Sequence, residues 1–148
     1  MEKGDINLRF KFQVMAKVDR FEDLLIWQKA RTLCQEVYKL TNQAPFKFDS
    51  RFVQQIHASS GSIMDNIAEG FERDGNKEFL NFLYIAKGSC GEVRSQLYRA
   101  NDVGFVDEEK FKELLDLSIV FGRSIAKLIS SIKDSEVTGL KNMKQPKA

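Results

Sequence analysis

The stretch 79-FLNFLYIAKGSCGEVRSQLYRA-100 decides how this chain folds. Its apolar positions Phe79, Leu83, Ala86, Cys90, Val93, Leu97 and Ala100 are spaced 4, 3, 4, 3, 4, 3. That alternation keeps returning to one face of an α-helix, whereas a strand repeats every second residue. A helix with one such stripe buries it against other helices, so partners must lie elsewhere in the sequence.

They lie on both sides. Toward the C-terminus, Gly104 ends the helix and Asp107, with Lys110 nearby, begins another. Its stripe runs Phe111, Leu114, Ser118, Phe121, Ile125, Leu128 and Ile132. Toward the N-terminus, Asp74-Gly75-Asn76 stops one helix and caps the next. The stopped helix runs from an N-cap at Asp49 or Ser50 to about Arg73, with Phe52, Val53, Ile56, Ile63, Met64, Ile67, Ala68 and Phe71 on its apolar face. Earlier still, residues 24–40 carry Ile26, Ala30, Leu33, Val37 and Leu40 at spacings of 4, 3, 4, 3, flanked by Trp27, Cys34 and Tyr38. Asp19 or the Asp23 region caps that first helix, and residues 42–49, with Pro45, break it. Four seven-residue-periodic helices joined by short loops predict an all-α, antiparallel up-down-up-down four-helix bundle over residues 20–133.

The two ends read differently. Ile6, Leu8, Phe10, Phe12 and Val14 alternate with polar residues, a strand signature within an N-terminal extension over 1–19. A lone strand has no partner in a helical bundle. Either it pairs with another chain, or translation starts at Met15 and residues 1–14 are an upstream artefact; an intact mass that includes Met1 would end the second idea. Residues 134–148 are polar and Lys-rich and read as a disordered tail.

Composition bounds the chemistry. At 148 residues, 43% hydrophobic and 30% charged, the chain is one globular domain with a substantial core. It has no apolar run long enough for a transmembrane helix and no secretory h-region, which predicts a cytoplasmic protein. Cys34 and Cys90 stand singly in apolar patterns, as free thiols in a reducing compartment do. With His57 the sole histidine, no metal site, cofactor or small-molecule substrate is expected. The net charge is +2, but residues 21–132 carry 14 basic against 16 acidic groups. A near-neutral body argues against a dedicated duplex-DNA binder and leaves room for a local basic patch.

Several residues interrupt the helical monotony. Ser59, Ser62, Asn66, Glu69 and Arg73 are spaced 3, 4, 3, 4 and form a polar stripe on the second helix. It reads as a solvated face with a Glu69–Arg73 pair, or as a recognition seam in which Asn66 hydrogen-bonds across to a neighbouring helix. On the third helix, Lys87-Gly88-Ser89-Cys90-Gly91-Glu92 places two glycines mid-helix, at a cost of about 1 kcal/mol each. Close helix–helix approach is the expected compensation, since the GxxxxGK[ST] spacing of a phosphate loop is absent. Basic and aromatic groups on the outer faces, Arg31, Lys39, Lys87, Arg94, Tyr98, Arg123 and Lys127, are candidates for contacting phosphates or unpaired bases. Arg51 and His57 form an R-x5-H pattern similar to that of HEPN-type ribonucleases, although it opens the second helix and a phenylalanine follows the arginine.

The order Phe21-Glu-Asp-Leu-Leu-Ile-Trp27-Gln28, then Ser62-Ile63 with Asn66-Ile67-Ala68-Glu69-Gly70-Phe71 and Arg73, then Ile85-Ala86-Lys87-Gly88-Ser89 with Glu92, resembles the four-helix-bundle proteins of the 23S rRNA intervening-sequence (S23) family. The resemblance covers about residues 20–133. It implies a homopentameric ring or barrel with no established enzymatic activity. Within it, Trp27, Ser62, Asn66, Glu69, Gly70, Arg73, Gly88, Ser89 and Glu92 are expected to set helix or subunit geometry. Related accessory variability proteins of diversity-generating retroelements bind nucleic acid and a reverse transcriptase, which makes both classes of partner expectations here. Two functions follow: a non-catalytic oligomeric scaffold that binds structured RNA, DNA or a nucleic-acid-processing protein, or a HEPN-like ribonuclease using Arg51 and His57.

Overall fold

A computed structural model of the chain describes residues 18–143, with side chains described through 135. Four helices make up the fold: α1 Leu25–Thr41, α2 Ser50–Glu72, α3 Asn76–Asp102 and α4 Glu108–Met143. Single 3-10 turns at Phe21–Asp23 and Phe46–Phe48 lead into α1 and α2. No strand occurs among the described residues, and the fold is an all-α bundle. The alternating stretch over 6–14 and the end of the tail, 144–148, lie outside the described residues.

Cross-helix hydrogen bonds give the direction of each pair. Between α2 and α3, Ser59 meets Gln96 and Ser62 meets Ser89, so one helix rises as the other falls. Cys34 meets Ser60 and Thr41 meets His57 between α1 and α2. Cys90 meets Ser118 and Tyr84 meets Lys133 between α3 and α4. Lys29 with Ser124 and Glu36 with Lys110 close α1 onto α4. Every neighbouring pair is antiparallel, the up-and-down arrangement that short loops favour.

The predicted stripes make up most of the core, while Phe79 and Ile132 at their ends and Val53, Met64 and Phe71 on α2 are only partly buried against it. Ile26, Ala30, Leu33, Val37 and Leu40 of α1 are buried, as are Leu83, Ala86, Cys90, Val93, Leu97 and Ala100 of α3. From α4, Phe111, Leu114, Ser118, Phe121, Ile125 and Leu128 join them. The Ser118 hydroxyl, inside this core, donates to the Leu115 carbonyl at 2.7 Å, which removes the penalty of an unpaired buried hydroxyl.

Helix ends correct the sequence reading in part. Asp49 caps α2, its Oδ1 accepting the Phe52 N–H at 3.0 Å, and Asp107 Oδ1 accepts the Lys110 N–H at 2.8 Å. Neither Asp19 nor Asp23 caps α1. Leu24 stands at that position without a side-chain bond, because Asp23 closes a 3-10 turn and pairs with Arg20. Asn76 is likewise not a cap but the first residue of α3. The reversal there is made by Gly75, whose φ of +92° side chains rarely adopt. Finally, α4 runs to Met143, past the boundary at 133. No proline stands between 134 and Pro146 to stop it, and the helix carries Gly139 in its interior.

Candidate functional site

The polar stripe of α2 divides into two parts. Ser59 is buried and donates to Gln96 Oε1 on α3, and the Ser62 and Ser89 hydroxyls lie 2.8 Å apart. Asn66 does not cross to α3, contrary to the seam reading. Its Nδ2 donates to Ser62 O at 2.7 Å and Ser62 Oγ at 3.0 Å, because the i−4 groups on its own helix are within reach. Farther along, Glu69 and Arg73 are exposed and pair at 2.9 Å, with the Arg73 guanidinium over the Phe82 ring. The stripe thus joins α2 to α3 at one end and is solvated at the other. The sequence signal for Gln96 is its register: Phe82, Ser89 and Gln96 repeat every seven residues along the α3 face that meets α2.

Of the glycines expected to set helix geometry, Gly70 does so within this chain and the α3 pair does not. Gly70 is the close-approach residue: a Cβ there would lie 2.5 Å from Phe82 Cβ. Gly88 and Gly91 face open space, so helix–helix packing within this chain does not explain either. Ser89, between them, is the residue that faces α2. Glu92 is exposed. Trp27 meets Phe21 edge-to-face at 5.2 Å and carries the Arg31 guanidinium over its ring, which anchors the 3-10 turn ahead of α1.

Among the described residues, no hydrogen bond or ring contact joins Arg51 to His57. Six residues on a helix leave two side chains about 120° apart around the axis. The His57 ring stacks on Tyr38, and its Nε2 lies 2.7 Å from Thr41 Oγ1. Arg51 is exposed.

Of the outward cations, three converge. Lys87 and Arg94 on α3 and Arg123 on α4 line a groove of about 550 Å³ between the two helices. Its floor includes Cys90, Gly91 and Gly122, and none of the three cations forms an ion pair among the described residues. Lys127 follows Arg123 by one turn on α4, and its charge reaches Lys29. Burial pushes the ammonium pKa of Lys29 down, and Lys127 adds to the effect. Tyr98 lies half-exposed on α3, its ring edge-to-face with Phe111 at 5.2 Å. Arg31 and Lys39 belong elsewhere: Arg31 covers Trp27, and Lys39 pairs with Glu36 at 2.8 Å.

Burial holds the Cys90 thiol above its ordinary pKa, against the opposing pull of Arg94 and a backbone hydrogen bond from Gly122. Cys34 is pushed up for the same first reason. Burial thus favours the neutral thiol at both positions. Among the described residues, no group of three or more His, Cys, Asp or Glu side chains could hold a metal ion, and no helix is long and apolar enough to cross a membrane. A second cavity, about 280 Å³, lies where Arg99 covers Phe52, but Asp49 and Asp102 share its lining. Only the α3–α4 groove, of these two, has cations without acids.

Comparison with known proteins fits this architecture. No curated protein matches the chain. Among solved structures, a protein of unknown function from the S23 ribosomal protein family of Bacteroides thetaiotaomicron VPI-5482 superposes with a TM-score of 0.65. It is 19% identical, and the alignment covers 71% of this chain and 98% of that one, so the likeness is one of fold. The family model for the 23S rRNA-intervening sequence protein matches residues 22–141, which span all four helices. The chain belongs to the 23S rRNA-intervening sequence protein family.

Proposed function

We propose that this protein is a non-catalytic, oligomeric helical-bundle scaffold that binds nucleic acid through the α3–α4 groove. One observation carries the reading: Lys87, Arg94 and Arg123 converge on a single groove without acidic partners, on a body whose total charge is near neutral. Unpaired cations held along rigid helices suit a phosphodiester backbone, and such contacts release counterions on binding. An oligomer, the homopentamer that the family resemblance implies, would repeat the groove and raise avidity without new contacts. Exposed Ile85 and Val120 offer apolar surface for such assembly.

The test is binding of the full chain to structured RNA and duplex DNA over a salt series, alongside a mass measurement of the oligomer. Three phosphate contacts predict a log–log salt slope of about −2 to −3. Replacing Lys87, Arg94 and Arg123 together with glutamine should abolish most of that slope. A flat salt response would remove the nucleic-acid reading and favour a protein partner of the reverse-transcriptase type. A monomer by light scattering would remove the oligomeric scaffold.

A further inference from the structure

Along α3, Tyr84, Lys87, Gly91, Arg94 and Tyr98 are spaced 3, 4, 3, 4. At 100° per residue they fall within an arc of about 80°, and the line from first to last is about 21 Å long. Lys87, Gly91 and Arg94 line the basic groove, with Arg123 on its α4 side, and the two tyrosines stand on the same α3 face about one turn beyond each end of that lining.

Both rings are open and both are held. Tyr84 is 49% exposed and Tyr98 is 51% exposed. The Tyr84 hydroxyl accepts from Lys133 Nζ at 3.4 Å, and the edge-to-face contact with Phe111 steadies Tyr98. A solvent-exposed aromatic steadied in this way loses little rotamer entropy when something stacks on it. Between the rings, Gly91 presents bare backbone with no atom near the place of a Cβ, so a bulky polymer can lie close to the helix.

We infer that this groove takes single-stranded nucleic acid, bases stacking on Tyr84 and Tyr98 and phosphates resting on Lys87, Arg94 and Arg123. The inference rests on the nucleic-acid reading above and narrows it. Duplex bases are already stacked on one another and offer no free face to a tyrosine, whereas unpaired bases do. Three cations are too few for the strong basic excess of a duplex binder, and they match the short backbone run that two rings about 21 Å apart can bracket.

The experiment is fluorescence anisotropy of the full chain with labelled 12-mers of dT and of rU, and with a duplex of the same length. The expected result is tighter binding of a single strand than of duplex, with a log–log salt slope near −2 for three contacts. Tyr84→Ala and Tyr98→Ala should each weaken it by about 5-fold or more, while Tyr84→Phe and Tyr98→Phe, which keep the ring, leave it unchanged. Tighter binding of rU assigns RNA, and tighter binding of dT assigns DNA. Because Tyr98 also packs on Phe111, the thermal midpoint is measured for each variant, and Tyr84→Ala carries the decision if Tyr98→Ala unfolds. Duplex binding equal to single-strand binding, or no loss on removing the rings, overturns the single-strand inference and leaves the groove reading in place. Salt-insensitive binding of every nucleic acid overturns both. Polyglutamate bound as tightly as the oligonucleotide overturns the inference in favour of an acidic protein.

Discussion

Gly70 on α2 sits directly against Phe82 on α3, so closely that a Cβ would meet Phe82 Cβ at 2.5 Å and Phe79 Cδ2 at 3.2 Å. The near neighbour is anchored next to the backbone and cannot swing away as the tip of a flexible side chain can. Gly70→Ala therefore forces α2 and α3 apart near the Asp74–Asn76 reversal. Overpacking outweighs the gain in helix propensity, for an expected net loss of about 1–2 kcal/mol in a denaturant titration.

Gly88 is the control. It lies mid-helix with nothing within 4 Å of a Cβ position, so alanine adds helix propensity without overlap. Gly88→Ala should raise stability by about 0.5–1 kcal/mol, read as a higher unfolding midpoint. A loss of stability or a change in oligomer mass would show that another subunit packs at Gly88.

The buried Ser59–Gln96 pair couples α2 to α3. Gln96→Ala removes the acceptor and opens space, with an expected cost of about 2 kcal/mol. Replacing both partners, Ser59→Ala with Gln96→Leu, should recover part of that loss, because no polar group is then left without its partner. A double-mutant cycle measures the coupling, expected near 1 kcal/mol.

Glu36 on α1 ties to α4. Hydrogen bonds from Lys39 at 2.8 Å and Lys110 at 2.9 Å hold its carboxyl below the ordinary range. The unfolded chain takes up this proton near pH 4.3, the native state only at lower pH. Between those points the unfolded state binds more protons, so the contribution is present above about pH 4.3 and is lost as pH falls through the native pKa. Solvent screening keeps it to about 0.5–1 kcal/mol. Stability measured from pH 7 to 3 should fall less steeply for Glu36→Gln than for the parent chain. The same pair raises the Lys110 pKa, so that contribution is lost on the alkaline side, as pH rises through the raised value.

How much of this was legible beforehand differs between core and site. The seven-residue stripes of α1, α3 and α4 gave the buried faces almost residue by residue, because apolar burial leaves its period in the sequence. The Asp49 and Asp107 caps were legible for a similar reason, a short side chain bonding an N–H three residues on. The α3 glycines do not reveal their role in sequence, because a mid-helix glycine signals only that a Cβ is missing. Whether a neighbour fills the space depends on which way that face points, and Gly70 and Gly88 answer oppositely.

The sequence by itself determined four helices, their order, their antiparallel sense and the family to which they belong. Local periodicity and short loops are enough for that, since each is a property of neighbouring residues. Only the tertiary structure decided that Asn66 bonds within its own helix, that Gln96 meets Ser59, and that Lys39 is neutralised by Glu36. It also decided that Lys87 and Arg94 share a groove with Arg123, residues on two helices whose meeting depends on register and rotation. Helical period fixes which face of each helix is apolar, but the polar edges meet only once the packed core has set how far each helix turns.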